Sequence, residues 1–213
     1  MPINTVLFDL DDTLYPASSG MMLQVDNRIT DFVHRLLGGS YEEAREIRHN
    51  LFVEFGTTLN GLMNNYHVDV DEYLSYVHDV TFDELVQPDP KLQQMLHDLS
   101  AQKILFTNSP VEYAERIVRR LGIDNQISDI FDIRRSNLVP KPRIEPYELV
   151  LNTLKLPADK MAFVEDTLKN LVPAHQLGMT TFLISNEAQS PAAKYVVPDI
   201  YTAIEYIYQL VEQ

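Results

Sequence analysis

The 213-residue sequence contains no cysteine, which excludes disulfides, thiolate catalysis and cysteine-based zinc sites. No apolar run is long enough to span a bilayer, so no membrane partner is expected. The first apolar segment begins within a few residues of Met1 and leaves no room for a signal peptide, so a cytoplasmic location is expected. Internal repeats and low-complexity tracts are also absent. The histidines (His34, His49, His67, His78, His97, His175) are scattered without metal-ligand spacing and read as structural or surface residues. Cations are scarce: 17 Lys and Arg stand against 31 Asp and Glu, for a formal net charge of −14. Such a surface repels nucleic-acid backbones and anionic membranes. A small anionic substrate remains compatible if the pocket brings its own cations, for which Lys141 and Arg143 are the candidates.

A hydrophobic fraction of 45% is enough for a sizeable core. Short apolar runs alternate with helical patterns, which predicts an α/β fold with a mainly parallel sheet. Strands are expected at Thr5–Phe8, Lys103–Phe106, Ile130–Ile133, Met161–Val164 and Thr181–Ile184. Helices are expected at about Glu112–Leu121, Glu145–Leu154, Leu168–Leu177 and Thr202–Val211. Between the first two strands the pattern is helical throughout. Val25, Ile29, Phe32 and Leu36 share one helix face; Ser40 with Glu43 makes a capping box; Leu59, Leu62, Met63 and Tyr66 form a third apolar set; Asp71 is placed to cap a fourth helix. The expected organisation is therefore a core of residues 1–15 and 88–213 interrupted by an all-helical cap domain, residues 16–87, placed to act as a lid. The C-terminal set Ile200, Tyr201, Ile204, Ile207, Tyr208 and Val211 is assigned to the core, which leaves monomer or homodimer open.

Four segments carry chemistry. Asp9-Leu10-Asp11-Asp12-Thr13-Leu14 follows the apolar run Val6-Leu7-Phe8. Period-two alternation would send Asp9 and Asp11 the same way, where they could hold Mg2+ beside a phosphate. Asp9 then serves as nucleophile and Asp11 as acid/base, the chemistry of covalent phosphoryl transfer. Thr107-Asn108-Ser109 ends the second strand with groups able to hydrogen-bond phosphate oxygens, or to cap the next helix. Lys141 stands between Pro140 and Pro142 in an extended loop suited to presenting an ammonium. Glu165-Asp166-Thr167 ends another apolar strand with acids that could complete an oxygen-rich metal site. Ligands of doubly wound sheets bind beyond the carboxyl ends of the strands, where all four segments fall.

The set Asp9-x-Asp11-x-Thr13, Thr107-Asn108, Lys141 and Glu165-Asp166 resembles the four motifs of the haloacid dehalogenase superfamily. The resemblance implies a Rossmann-like, doubly wound core with a mobile helical cap and Mg2+-dependent phosphatase activity. It implies Asp9, the Asp11 main-chain carbonyl and Asp166 as metal ligands, with Thr107, Asn108 and Lys141 on the phosphate. A narrower similarity, carried by Asp11–Pro16, Ser18-Ser19-Gly20, Phe55–Leu62, His78 and Leu85–Pro90, is to the pyrimidine 5′-nucleotidase-like branch. That branch implies a nucleoside 5′-monophosphate as the small phosphorylated substrate. Its fourth motif, Val-Asp-Asp-Ser-x-x-Asn, reads here Val164-Glu165-Asp166-Thr167-Leu168-Lys169-Asn170, so Glu165 and Asn170 either ligate the metal or support its ligands.

Asp11 argues against dehalogenase chemistry, which needs neither a second acid nor Mg2+. A sugar-phosphate phosphatase, a phosphomutase or a catalytically silent binding protein is compatible with the same scaffold. Tyr15 is a candidate to stack on a substrate ring, or is core packing. Thr57 and Thr58 are candidates to contact a base or sugar, or start a helix as N-cap. Arg143 adds potential near Lys141 or pairs with Glu145, and Asp69 and Asp71 read as turn and cap.

Overall fold

The computed structural model describes residues 2–186 and 190–211. It divides into two compact units, one of Met1–Ser19 with Val86–Gln213, the other Gly20–Leu85.

In the first unit the apolar runs become β1 (Thr5–Phe8), β2 (Gln102–Phe106), β3 (Asp129–Phe131), β4 (Met161–Glu165), β5 (Thr180–Ile184) and β6 (Tyr195–Val197). All pairings are parallel, in the order β3-β2-β1-β4-β5-β6. This is the Rossmann-like, doubly wound arrangement expected. Every residue of β1 and β4 is buried, as strands covered on both faces must be. Leu7, Phe106, Phe131, Phe163, Tyr147 and Leu171 lie in one continuous core, with the Phe106 and Tyr147 rings edge to face at 5.0 Å. The strand order reverses between β1 and β4, which marks the crevice beyond their carboxyl ends as the place for a ligand.

Helices of this unit are α5 (Pro90–Asp98), α6 (Val111–Leu121), α7 (Ile144–Leu154), α8 (Leu168–Leu177) and α9 (Ile200–Val211). Asp89 caps α5 through Leu92 N–H, with Pro90 at the first turn where its missing N–H does no harm. The α6 start is capped from outside: Asp132, just past β3, accepts the Val111 N–H at 3.0 Å. Ile200, Ile204 and Ile207 of α9 are buried, and its Tyr208 hydroxyl donates to the Met95 carbonyl on α5.

The second unit is α1 (Met21–Leu37), α2 (Tyr41–Phe55), α3 (Thr58–Asn65) and α4 (Val70–Val77). Ser40 and Glu43 form the expected capping box on α2. Gly61 lets α3 approach α2, since a Cβ there would lie 2.7 Å from the Leu51 Cβ.

Three expectations need correction. The cap of α4 is Asp69, whose Oδ1 accepts the Asp71 and Glu72 N–H groups; Asp71 lies inside the helix. The third strand ends at Phe131, so Ile133 is beyond it. Strand β6 was not expected from the sequence.

Candidate active site

The site begins where β1 stops. Asp9 continues the sheet by one bond, donating its N–H to the Val164 carbonyl at 2.9 Å, and its side chain is buried. The chain then turns: Thr13 and Leu14 N–H groups both return to the Leu10 carbonyl, and Asp12 takes a left-handed φ of 58°. Asp11 is therefore not on a strand, and alternation does not align it with Asp9. The turn instead brings Thr13 Oγ1 to 3.4 Å from Asp9 Oδ2 and 3.5 Å from Asp166 Oδ1.

Lys141 reaches this point from its loop and is buried. Its ammonium donates to Asp9 Oδ1 at 2.6 Å, to the Phe106 carbonyl at 2.7 Å and to Glu165 Oε2 at 2.8 Å. Those bonds use all the protons an ammonium has. Burial alone would lower the Lys141 pKa, but Asp9 and Glu165 outweigh it and hold it above the ordinary lysine value. Asn108 sets the loop: its Oδ1 accepts the Lys141 N–H at 2.8 Å and its Nδ2 donates to the Lys141 carbonyl at 3.1 Å. The Asn108 side chain thus clamps the lysine backbone, with one of its two amide protons engaged there. Thr107 is buried at the end of β2, with its Oγ1 accepting the Ser109 N–H at 3.0 Å.

Glu165 closes β4. Its Oε2 accepts Lys141 and, at 3.1 Å, Asn170 Nδ2, while Oε1 accepts the Thr167 N–H at 3.1 Å. Asn170 Oδ1 is buried and has no hydrogen-bond partner among the described residues. Asp9, Glu165 and Asp166 each bring a carboxylate oxygen within 4.8 Å of the others. Burial pushes Asp9 up to about 7, reinforced by Glu165 and opposed by Lys141. Burial likewise raises Glu165 to about 7 against the pull of Lys141, and raises Asp166. Three carboxylates crowd around one ammonium, so the cluster carries uncompensated negative charge. An oxygen-only donor set with that excess fits a hard divalent cation such as Mg2+.

Asp11 lies in different surroundings. Tyr15 donates its phenol to Oδ1 at 2.5 Å, Tyr113 donates to Oδ1 at 2.9 Å, and Ser109 donates to Oδ2 at 2.7 Å. Burial first, and then the Asp11 charge, raise the pKa of both phenols, so they remain donors. A family model described as haloacid dehalogenase-like hydrolase matches residues 3–178. The chain belongs to that family.

This haloacid dehalogenase-like hydrolase is 25% identical over 195 residues to glyceraldehyde 3-phosphate phosphatase of Methanocaldococcus jannaschii, with 85% of each chain covered. It is 32% identical over 134 residues to phosphate metabolism protein 8 of Saccharomyces cerevisiae, a match covering 59% of this chain and 40% of the yeast protein. The chain thus spans less than half of that relative. The crystal structure of a HAD phosphatase from Thermococcus onnurineus superposes with a TM-score of 0.65 at 20% identity, covering 96% of this chain and 98% of the other. That likeness speaks for the fold alone.

The structure of the hydrolase brings Asp9, Lys141, Glu165 and Asp166 together, with Thr13 among them. Tyr15 is not open to a ring: it is buried with its hydroxyl on Asp11. In the helical unit Thr57 caps α3 through the Asn60 N–H, and Thr58 is buried with its hydroxyl 3.5 Å from the Arg48 carbonyl. Of the two readings offered for this pair, the N-cap is what Thr57 adopts. Arg143 is exposed at the start of α7. Sequence reasoning missed Tyr113 and the bond from Ser109 to Asp11. Ser109 lies in the Thr107-Asn108-Ser109 segment, but no sequence signal joins it or Tyr113 to an acid 98 and 102 residues away. Among the described residues no helix is long and apolar enough to cross a membrane.

Proposed function

We propose that the chain is a Mg2+-dependent phosphomonoester hydrolase working through an aspartyl-phosphate. The observation that carries this reading is the Lys141 ammonium, 2.6 Å from Asp9 Oδ1 at the end of the central strand, beside the acidic cluster. Asp9 attacks phosphorus, the bond from phosphorus to the ester oxygen breaks, and the Asp11 carboxyl gives its proton to that oxygen. Asp11, now a carboxylate, takes a proton from the water that attacks the aspartyl-phosphate, releasing inorganic phosphate and restoring Asp9. The Lys141 ammonium, its donors engaged with Asp9, the Phe106 carbonyl and Glu165, offsets the charge of the incoming phosphate and fixes Asp9, while the Thr107 hydroxyl donates to a phosphoryl oxygen, where charge is spread in the transition state.

Asp9, Asp166 and the Asp11 main-chain carbonyl are the proposed Mg2+ ligands. Glu165, with both oxygens engaged, orients Lys141, and Asn170 supports Glu165. Bound Mg2+ supplies Lewis-acid neutralisation of the phosphate and keeps the clustered carboxylates ionised.

The proposed substrate is a pyrimidine nucleoside 5′-monophosphate, supported by the Asp11–Pro16 and Phe55–Leu62 similarities. A second reading, a phosphatase of small sugar phosphates, is favoured by the archaeal relative, whose match runs over 85% of both chains. The deciding experiment is phosphate release with Mg2+ from UMP, CMP, AMP, nicotinamide mononucleotide, glyceraldehyde 3-phosphate and p-nitrophenyl phosphate. Asp9→Asn and EDTA should each abolish it. Preference for UMP or CMP supports the nucleotidase reading, preference for the triose phosphate replaces it, and no release from any ester overturns the phosphatase reading.

A further inference from the structure

Asp9 and Asp11 are two residues apart, yet only Asp9 meets an ammonium, its other side-chain contact being the Thr13 hydroxyl at 3.4 Å. Asp9 faces an ammonium, which can only donate. The Asp11 side chain is bonded by hydroxyls, those of Tyr15, Tyr113 and Ser109. A hydroxyl both donates and accepts, so it bonds a carboxylate and, after rotation, a carboxylic acid. The two phenol oxygens are themselves 3.3 Å apart, and either can donate to the other. One phenol can therefore donate a hydrogen bond to its neighbour, which ties the two hydroxyls around Asp11 to each other.

The phenols are also poor candidates for simple packing. Tyr15 is 3% and Tyr113 2% exposed, and a buried hydroxyl is costly unless bonded. Phenylalanine would fill the same volumes without that cost. All these residues lie in the one compact unit that carries the strands.

We propose that Tyr113, Tyr15 and Ser109 are positioning residues for Asp11, forming a cradle of hydroxyls that holds its carboxyl in one orientation. The proposal rests on the acid/base role given to Asp11 above. In the first half-reaction the cradled acid transfers its proton to the departing ester oxygen. In the second the cradled carboxylate receives one from water. The hydroxyls rotate and lose no proton overall.

Leaving-group dependence tests this on the intact Mg2+-loaded protein. kcat/KM reports steps up to formation of the aspartyl-phosphate. UMP and glyceraldehyde 3-phosphate leave as alkoxides that need a proton, whereas p-nitrophenolate leaves without one. Asp11→Asn should lower kcat/KM for the alkyl esters about 100-fold or more relative to p-nitrophenyl phosphate. Tyr113→Phe and Ser109→Ala should each lower the same ratio about three- to tenfold, the effect of one hydrogen bond. Tyr208→Phe, which removes a phenol bonded to the Met95 carbonyl on the α5–α9 contact, should leave the ratio unchanged. Far-UV circular dichroism and Mg2+ affinity confirm that each variant is folded and loaded.

If Asp11→Asn shifts the ratio while both cradle variants leave it unchanged, the cradle is overturned and the role of Asp11 stands. If Asp11→Asn itself leaves the ratio unchanged, the acid role fails and the cradle with it. A shift in all three, with Tyr208→Phe flat, supports the proposal.

Discussion

Lys141 shows how much one residue can carry. Its side chain and that of Glu165 are each 1% exposed, and Asp9 is 10% exposed in the same pair. Replacing Lys141 with Met would leave two carboxylates buried without their cation. Breaking a buried pair in this way costs about 3–5 kcal/mol. Lys141→Met is therefore expected to lower stability by that amount in urea unfolding at pH 8, and by less at pH 5, where the carboxylates regain protons. An equal loss at both pH values would mean that packing, not charge, holds the lysine. Lys141, Asp9 and Asp166 were legible in the sequence because each follows a strand pattern or is fixed between prolines. The clamp of Asn108 was not legible, since a bond to a main chain 33 residues away leaves no local pattern. The partners of Asp11 were hidden for the same reason: Ser109 is separated from it by 98 residues, and hydroxyls have no spacing rule.

Among the elements, α2 and α3 meet at Gly61. Alanine in mid-helix normally gains about 1 kcal/mol over glycine. Here the new Cβ would lie 2.7 Å from both Cβ and Cδ2 of Leu51, and a Cβ cannot rotate away. Overpacking costs about 1–3 kcal/mol, so the clash should win. Gly61→Ala is expected to lower the urea midpoint; a raised midpoint would show that the helices separate freely. Strands in the middle of the sheet were legible because burial on both faces makes their sequences uniformly apolar. β6 was not, being three residues long with two of them only half-buried. The two Asp-x-Asp sequences ended differently for local reasons. Asp9 is the last residue tied to a strand, whereas Asp69 is a cap that accepts the Asp71 N–H.

For the whole molecule, the buried acids link folding to pH. Asp9 and Glu165 have folded-state pKa values of about 7, against ordinary values near 4. Between those limits the folded state keeps protons that the unfolded chain has released, so raising the pH favours unfolding. The thermal midpoint of the EDTA-treated protein is expected to fall as pH rises from about 4 to about 7. Mg2+ should reverse the fall most strongly at and above pH 7, contributing about 2.7 kcal/mol at 100 times its Kd. Differential scanning fluorimetry across pH 5–8, with Mg2+ or EDTA, checks both. A flat EDTA profile would remove the case for crowded carboxylates. At this scale the fold and family were legible because four motifs gather at strand ends, whereas nothing in those motifs encodes the ester carried by the phosphate. The strand order also dictates a schedule. β1 pairs only with β2 and β4, so Thr5 waits for Gln102 and Met161 to be made. At translation speeds of 5–20 residues per second, that leaves the future centre of the sheet without a neighbour for roughly 5–20 s. The helices between Gly20 and Leu85 are all synthesised within that interval, so the interruption that separates the catalytic halves of the chain is also the first part of it able to complete.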